Sequence, residues 1–293
     1  MDMILSIGLY TVLIPGGAAA LAALAMRFMR PESVTRAVAA AFGVAVGPVI
    51  AQLGIAGMPP LPPIDSMGWI PMVTLATLLL LIPWEGSPRL RGVGWIVAGL
   101  AAAVGAYFVG KPTFSQASAG TMALGLGVVG VGAAVVLASM ESAKARVPLW
   151  AVLGSLLVAV TAASIASVLS ATALFGMLLG SVAAAIGGLT FGGLVLRSLT
   201  WSRAAVGVLV VTVAMQLLYV KLYAGLPTLG VALLGAAFLA PGLASLLPSS
   251  AKARATIAIA LALALGGAGA WFSQKAPAAG TSSGDDYVGM LAR

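Results

Sequence analysis

The sequence predicts an all-α integral membrane protein with about ten transmembrane helices, and three observations carry that prediction. From Val147 to Leu196 the chain holds no Asp, Glu, Lys or Arg. Only 8% of its 293 residues are charged against 61% hydrophobic, and the mean hydropathy is +1.12. The few charges fall in short clusters between long apolar stretches. Soluble domains are about 25% charged, and a charge at the bilayer centre costs roughly 2.5–3.5 kcal/mol. Charges therefore retreat to the loops, and a water-soluble fold is excluded.

A span takes about 20 apolar residues at about 1.5 Å of rise each. On that measure the spans run over residues 3–26, 37–57, 68–84, 93–110, 119–140, 148–168, 171–196, 204–224, 227–247 and 255–273. The first has no basic segment before it and no small-residue cleavage site after it, so it reads as an uncleaved span. The third is short. The sixth and seventh share the uncharged stretch and turn near residues 167–172, where one long span plus a re-entrant segment is the competing reading. Pro15-Gly16-Gly17, Gly47-Pro48 and Pro241-Gly242 interrupt spans one, two and nine, because proline frees a carbonyl and kinks the axis. The 37 glycines suit helices whose backbones approach closely, as at Gly43/Gly47, Gly176/Gly180 and Gly188/Gly192. Trp69, Trp84, Trp95, Trp150, Trp201 and Trp271 all fall near span ends and read as interfacial anchors. The polytopic domain thus covers 1–273, with possible halves at 1–140 and 148–273. Residues 274–293 form a flexible polar tail.

Charge placement orients the chain. Arg27, Arg30, Arg36, Arg89, Arg91, Lys144, Arg146, Arg197, Arg203, Lys252 and Arg254 all occupy alternate loops. The other side holds Asp2, Asp65, Asp285 and Asp286, with Lys111, Lys221, Lys275 and Arg293. The positive-inside rule then places both termini outside a cytoplasmic (inner) membrane and five hairpin tips inside. The net charge of +8 reads as orientation, with anionic lipid contact as a corollary, and not as nucleic-acid binding.

A shift of 133 residues lays spans 2–5 on spans 7–10. It sets Ala40, Phe42, Gly43 and Gly47 on Ala173, Phe175, Gly176 and Gly180. Five spans per half is an odd number, so the halves would face opposite ways, as in transporters with inverted repeats.

Chemistry has little to work with. The absence of Cys and His removes thiolate, haem and His-zinc chemistry, as well as Ser–His dyads. No carboxylate pair falls within a span. No enzyme, metal or cofactor is expected. Gln52 and Gln216 are the only amides inside spans, and each needs a partner because an unpaired polar group in hydrocarbon costs several kcal/mol. Thr74, Thr77, Thr161, Ser164, Ser181, Thr190 and Thr212 can bond to backbone carbonyls. Size and helix number resemble the drug/metabolite transporter class, without any of its motifs, although that class keeps its N-terminus inside.

The leading expectation is a permease for a small neutral or zwitterionic solute. Its site would be built from Pro15, Gly16, Gly17, Pro48, Gln52 and Gln216, where broken helices offer backbone dipoles. The alternative is a non-catalytic subunit of a larger membrane complex. Its contact elements would be the proline-rich loop Pro59–Pro63, expected to be stiff and extended, and the C-terminal tail.

Overall fold

A computed structural model describes residues 7–30, 33–85, 87, 91–170 and 173–274. Arg89, the turn at Ala171-Thr172 and the tail beyond Gln274 lie outside these described residues. Every regular element among them is helical. In chain order they are α1 (Leu9–Arg27), α2 (Val34–Ala56), α3 (Trp69–Trp84), α4 (Arg91–Phe114), α5 (Ala119–Ala143), α6 (Leu149–Leu169), α7 (Ala173–Val195), α8 (Arg203–Tyr223), α9 (Thr228–Ala237), α10 (Ala240–Ser245) and α11 (Ala251–Gln274). Eight of these are long and apolar enough to cross a bilayer, while α3 and α9 are shorter. The chain is a polytopic helical membrane protein.

Local chemistry sets the helix ends. Ser33, Ser118 and Ser202 have extended backbones, and their hydroxyls accept the N–H three residues on, starting α2, α5 and α8. Gly57 ends α2 at φ 82°, a conformation that costs a Cβ-bearing residue energy. The sixth and seventh spans form two separate helices, so the reading of one long span falls away.

The helix breakers act less abruptly than expected. α1 runs through Gly16-Gly17, and Pro15 instead follows a π-helical turn at Leu9–Leu13. A wider turn moves the preceding carbonyls away from the proline ring, which cannot donate to them. α2 also continues through Pro48. Among the described residues only the ninth span breaks, into α9 and α10, with the gap at Phe238-Leu239 just before Pro241.

α8 is the most enclosed of the long helices and packs against α2, α3, α4 and α5. α1 lies against α2 and α7, α6 against α7 and α11, and α9 with α10 against α11. α5 is the least enclosed.

Hydrogen bonds identify two ends of the bundle. At one, Arg36 Nε donates to the Ser198 carbonyl at 3.2 Å, and the Ser198 hydroxyl donates to the Ala23 carbonyl at 2.8 Å. Arg203 reaches the carbonyl of Trp84, and Arg146 reaches that of Ser245. At the other end Gln52 meets Met67, and the Tyr223 hydroxyl meets the Val109 carbonyl and Ser66. Among the described residues Arg36, Arg146, Arg203 and Arg254 therefore gather at the first, basic end.

Candidate functional site

The expected site residues divide into two groups. Pro15 and Gly16 sit where α1 crosses two helices. A Cβ at Gly47 would lie 2.6 Å from Pro15 Cα, and Gly16 lies against Gly188 and the Ala184 carbonyl of α7. Pro15 and Pro48 are buried, Gly16 is partly buried, and Gly17 is exposed with open space around it. The structure thus brings Pro15, Gly16 and the Gly47-Pro48 step together in close helix packing.

The two amides are buried, at 4% exposure for Gln52 and 2% for Gln216. Gln52 Nε2 donates to the Met67 carbonyl at 2.9 Å, on the stretch leading into α3. Gln216 lies on α8 one turn beyond Thr212, whose hydroxyl meets that of Thr74 on α3 at 2.9 Å. Gln216 Oε1 has no hydrogen-bond partner among the described residues. No hydrogen bond joins the two amides among the described residues. Thr74, Thr77, Thr161, Ser181 and Thr190 do satisfy themselves on carbonyls of their own helices, while Ser164 reaches across to the Gly176 carbonyl of α7.

A cavity of about 290 Å³ opens between α3 and α4, lined by Val73, Thr77, Leu80, Val97, Leu100 and Val104 among others. Its lining is apolar, and Leu80, Leu100 and Val104 are more than half exposed. It includes none of the expected site residues.

The most elaborate polar assembly among the described residues is built around Arg203, which the sequence reading placed at a loop after the seventh span. Arg203, the first residue of α8, is 5% exposed, Glu141 6% and Glu85 8%. Arg203 Nε meets Glu141 Oε1 at 2.5 Å, and its Nη1 donates to the Trp84 carbonyl at 2.6 Å. The other Glu141 oxygen accepts from Trp95 Nε1 at 2.7 Å. The Glu85 oxygens accept the backbone N–H groups of Arg203 and Ala204, both at 2.8 Å, capping the N-terminus of α8 with a charge that its dipole favours. Burial pushes the Glu85 carboxyl above its ordinary value near 4.5, and the two N–H donors and the Arg203 charge pull it partly back. Glu85 and Arg203 thus tie the end of α3 to α4, α5 and α8. Trp95 is therefore a donor in a buried network as well as a residue near a helix end. The available signal was the position of Glu141: α5 extends to Ala143, three residues past the predicted span end, so this carboxylate lies inside a helix.

The chain matches no family model, no curated protein and no solved structure.

Proposed function

We propose that the protein is a permease for a small neutral or zwitterionic solute, with ten spans in two oppositely oriented halves. Pro15, Gly16, Gly17, Pro48, Gln52 and Gln216 would contribute to its pathway. The observation that carries this reading is the unpaired acceptor of Gln216 on the most enclosed helix. An unsatisfied buried acceptor costs about 1–3 kcal/mol, a penalty that a hydroxyl or ammonium donor on a solute would relieve. The Thr212–Thr74 pair one turn away adds hydroxyls to the same region. Purified protein in liposomes should take up one member of a panel of neutral and zwitterionic solutes. Gln216→Leu should lower that uptake at least tenfold with expression unchanged. Wild-type uptake by the Leu variant would overturn the site.

The repeat has support in the packing. The α1–α2 and α6–α7 hairpins are both tight, as are α4–α5 and α9/α10–α11, and α3 crosses α8. The register is less regular than a fixed 133-residue shift. From Val34 to Ala173, the starts of α2 and α7, is 139 residues, and from Ala119 to Ala251, the starts of α5 and α11, is 132. Gly43 and Gly176 therefore sit at different depths in their helices, and the local sequence match reflects composition more than position.

Both termini are proposed to lie outside the cytoplasmic membrane, with the basic end inside. The absence of native thiols makes the test clean. Cysteine at Lys252 should resist an impermeant maleimide in intact cells, and cysteine at Ile64 should react. The reverse pattern would invert the topology.

The second reading, an accessory subunit of a membrane complex, is favoured by the loop before α3. Pro59 and Pro63 both pack around Gly68, so this loop curls where an extended rod was expected, and it leaves Met58, Leu61 and Ile64 exposed. A stoichiometric partner retained in mild detergent would favour that reading over transport.

A further inference from the structure

We propose that the corner between the α5–α6 and α10–α11 connections binds the headgroup of an anionic phospholipid. Two loops far apart in sequence meet there. Arg146 Nη1 donates to the Ser245 carbonyl at 3.2 Å. Arg254 Nε donates to the Leu247 carbonyl at 3.1 Å, and its Nη1 to the Arg146 carbonyl at 3.3 Å. Main-chain carbonyls therefore fix both guanidiniums in place without neutralising them. Neither arginine, nor the exposed Lys252 beside them, forms an ion pair among the described residues. The nearest carboxylate in sequence, Glu141, is already engaged by Arg203 and Trp95.

The placement of these cations is costly by itself. Lys252 and Arg254 occupy the first turn of α11, where the partial positive charge of the helix terminus opposes them. Three cations and a helix start repelling one another in a low-dielectric boundary make a field that an external anion would relieve. The fixed guanidiniums retain unused N–H groups suited to phosphate oxygens. The buried Ser249 hydroxyl, which has no partner among the described residues, adds a further donor in the same connection.

Neighbouring apolar surface decides between a lipid and a free anion. Leu243, Leu246 and Leu247 are 45%, 71% and 41% exposed on the same α10–α11 segment. Acyl chains would lie on these leucines while the phosphate meets the cations, the arrangement by which basic pockets between spans hold anionic lipids.

The test is purified protein in a neutral detergent, titrated with phosphatidylglycerol, with phosphatidylcholine and with inorganic phosphate. Phosphatidylglycerol alone should raise Tm by several degrees, and native mass spectrometry should find it retained. Lys252→Gln and Arg254→Gln should each weaken the effect about fivefold, the loss expected for one cation near the surface. The exposed Lys252 side chain forms no hydrogen bond or ion pair among the described residues, so its variant should fold even if the Arg254 variant does not. Arg27→Gln with Arg30→Gln, at the far side of the basic end, should leave the titration unchanged. Equal shifts with phosphatidylcholine, or an undiminished shift in Lys252→Gln, would overturn the proposal. So would an equal loss in the Arg27/Arg30 variant, which would mean a diffuse basic belt. An equal shift with inorganic phosphate would replace the lipid by an ion site.

Discussion

Arg203→Met should cost about 3–5 kcal/mol of stability, because it leaves the buried Glu141 carboxylate without its cation. Glu141 would keep the Trp95 N–H, whereas Glu85 would keep the backbone N–H groups of Arg203 and Ala204 and its Ser202 hydrogen bond and lose only the nearby Arg203 charge. Glu141→Leu should cost a similar amount by leaving a 5%-exposed guanidinium without its ion-pair partner, hydrogen-bonded to the Trp84 carbonyl. The double variant Arg203→Met/Glu141→Leu should recover much of the loss, since replacing a whole buried pair by apolar side chains is often neutral. Arg203→Lys should not rescue, because a single ammonium cannot serve both the Glu141 carboxylate and the Trp84 carbonyl with the fixed fork of a guanidinium. Unfolding in detergent of the parent protein, Arg203→Met, Glu141→Leu and the double variant forms a double-mutant cycle. If the two single losses simply add in the double variant, the cluster is not a coupled unit, and its role in tying α3, α4, α5 and α8 together fails.

That cluster also marks where sequence reasoning ran out. Helix positions were legible because hydropathy and the capping serines act locally: Ser118 starts α5 where the span was expected to begin, and Ser202 starts α8 within a residue of it. The basic clusters were legible as alternate connections, and the structure collects them at one end. Burial of those charges was not legible. Whether Arg203 snorkels or turns inward depends on Glu85 and Glu141, more than sixty residues away along the chain. The candidate site shows the same limit. Each amide was expected to find a partner in the bundle: Gln52 meets a loop carbonyl that no periodicity points to, and Gln216 Oε1 has no partner among the described residues. The proline at position 15 was visible, but its effect, a π turn, depends on how α1 seats against Gly47 and Gly188.

That seating supports a second large effect, and it tests the α1 part of the proposed site. Gly188→Val should destabilise the protein by about 1–3 kcal/mol or more, the usual cost of overpacking. A Cβ there would drive into the Gly16 carbonyl oxygen and lie 2.9 and 3.0 Å from Gly16 C and Cα. These are backbone atoms, which cannot rotate aside as a flexible side chain would, so α1 itself must move. Gly47→Ala should act in the same direction, with its Cβ 2.6 Å from Pro15 Cα and 3.1 Å from the Pro15 carbonyl oxygen. The controls are Gly17→Ala on α1 and Gly132→Ala on α5, where a Cβ meets nothing within 4 Å. They should be neutral or stabilising by up to about 1 kcal/mol, since alanine favours the helix over glycine. Thermal unfolding in detergent separates the two pairs, and protease nicking near Leu9 should rise only in the first, because α1 loosens there. On the proposed transport function, the same loosening should lower solute uptake while Gln216 stays in place. If Gly188→Val and Gly47→Ala unfold like Gly17→Ala, then α1 is not held by this crossing, and Pro15 and Gly16 are free to line a pathway without rearrangement.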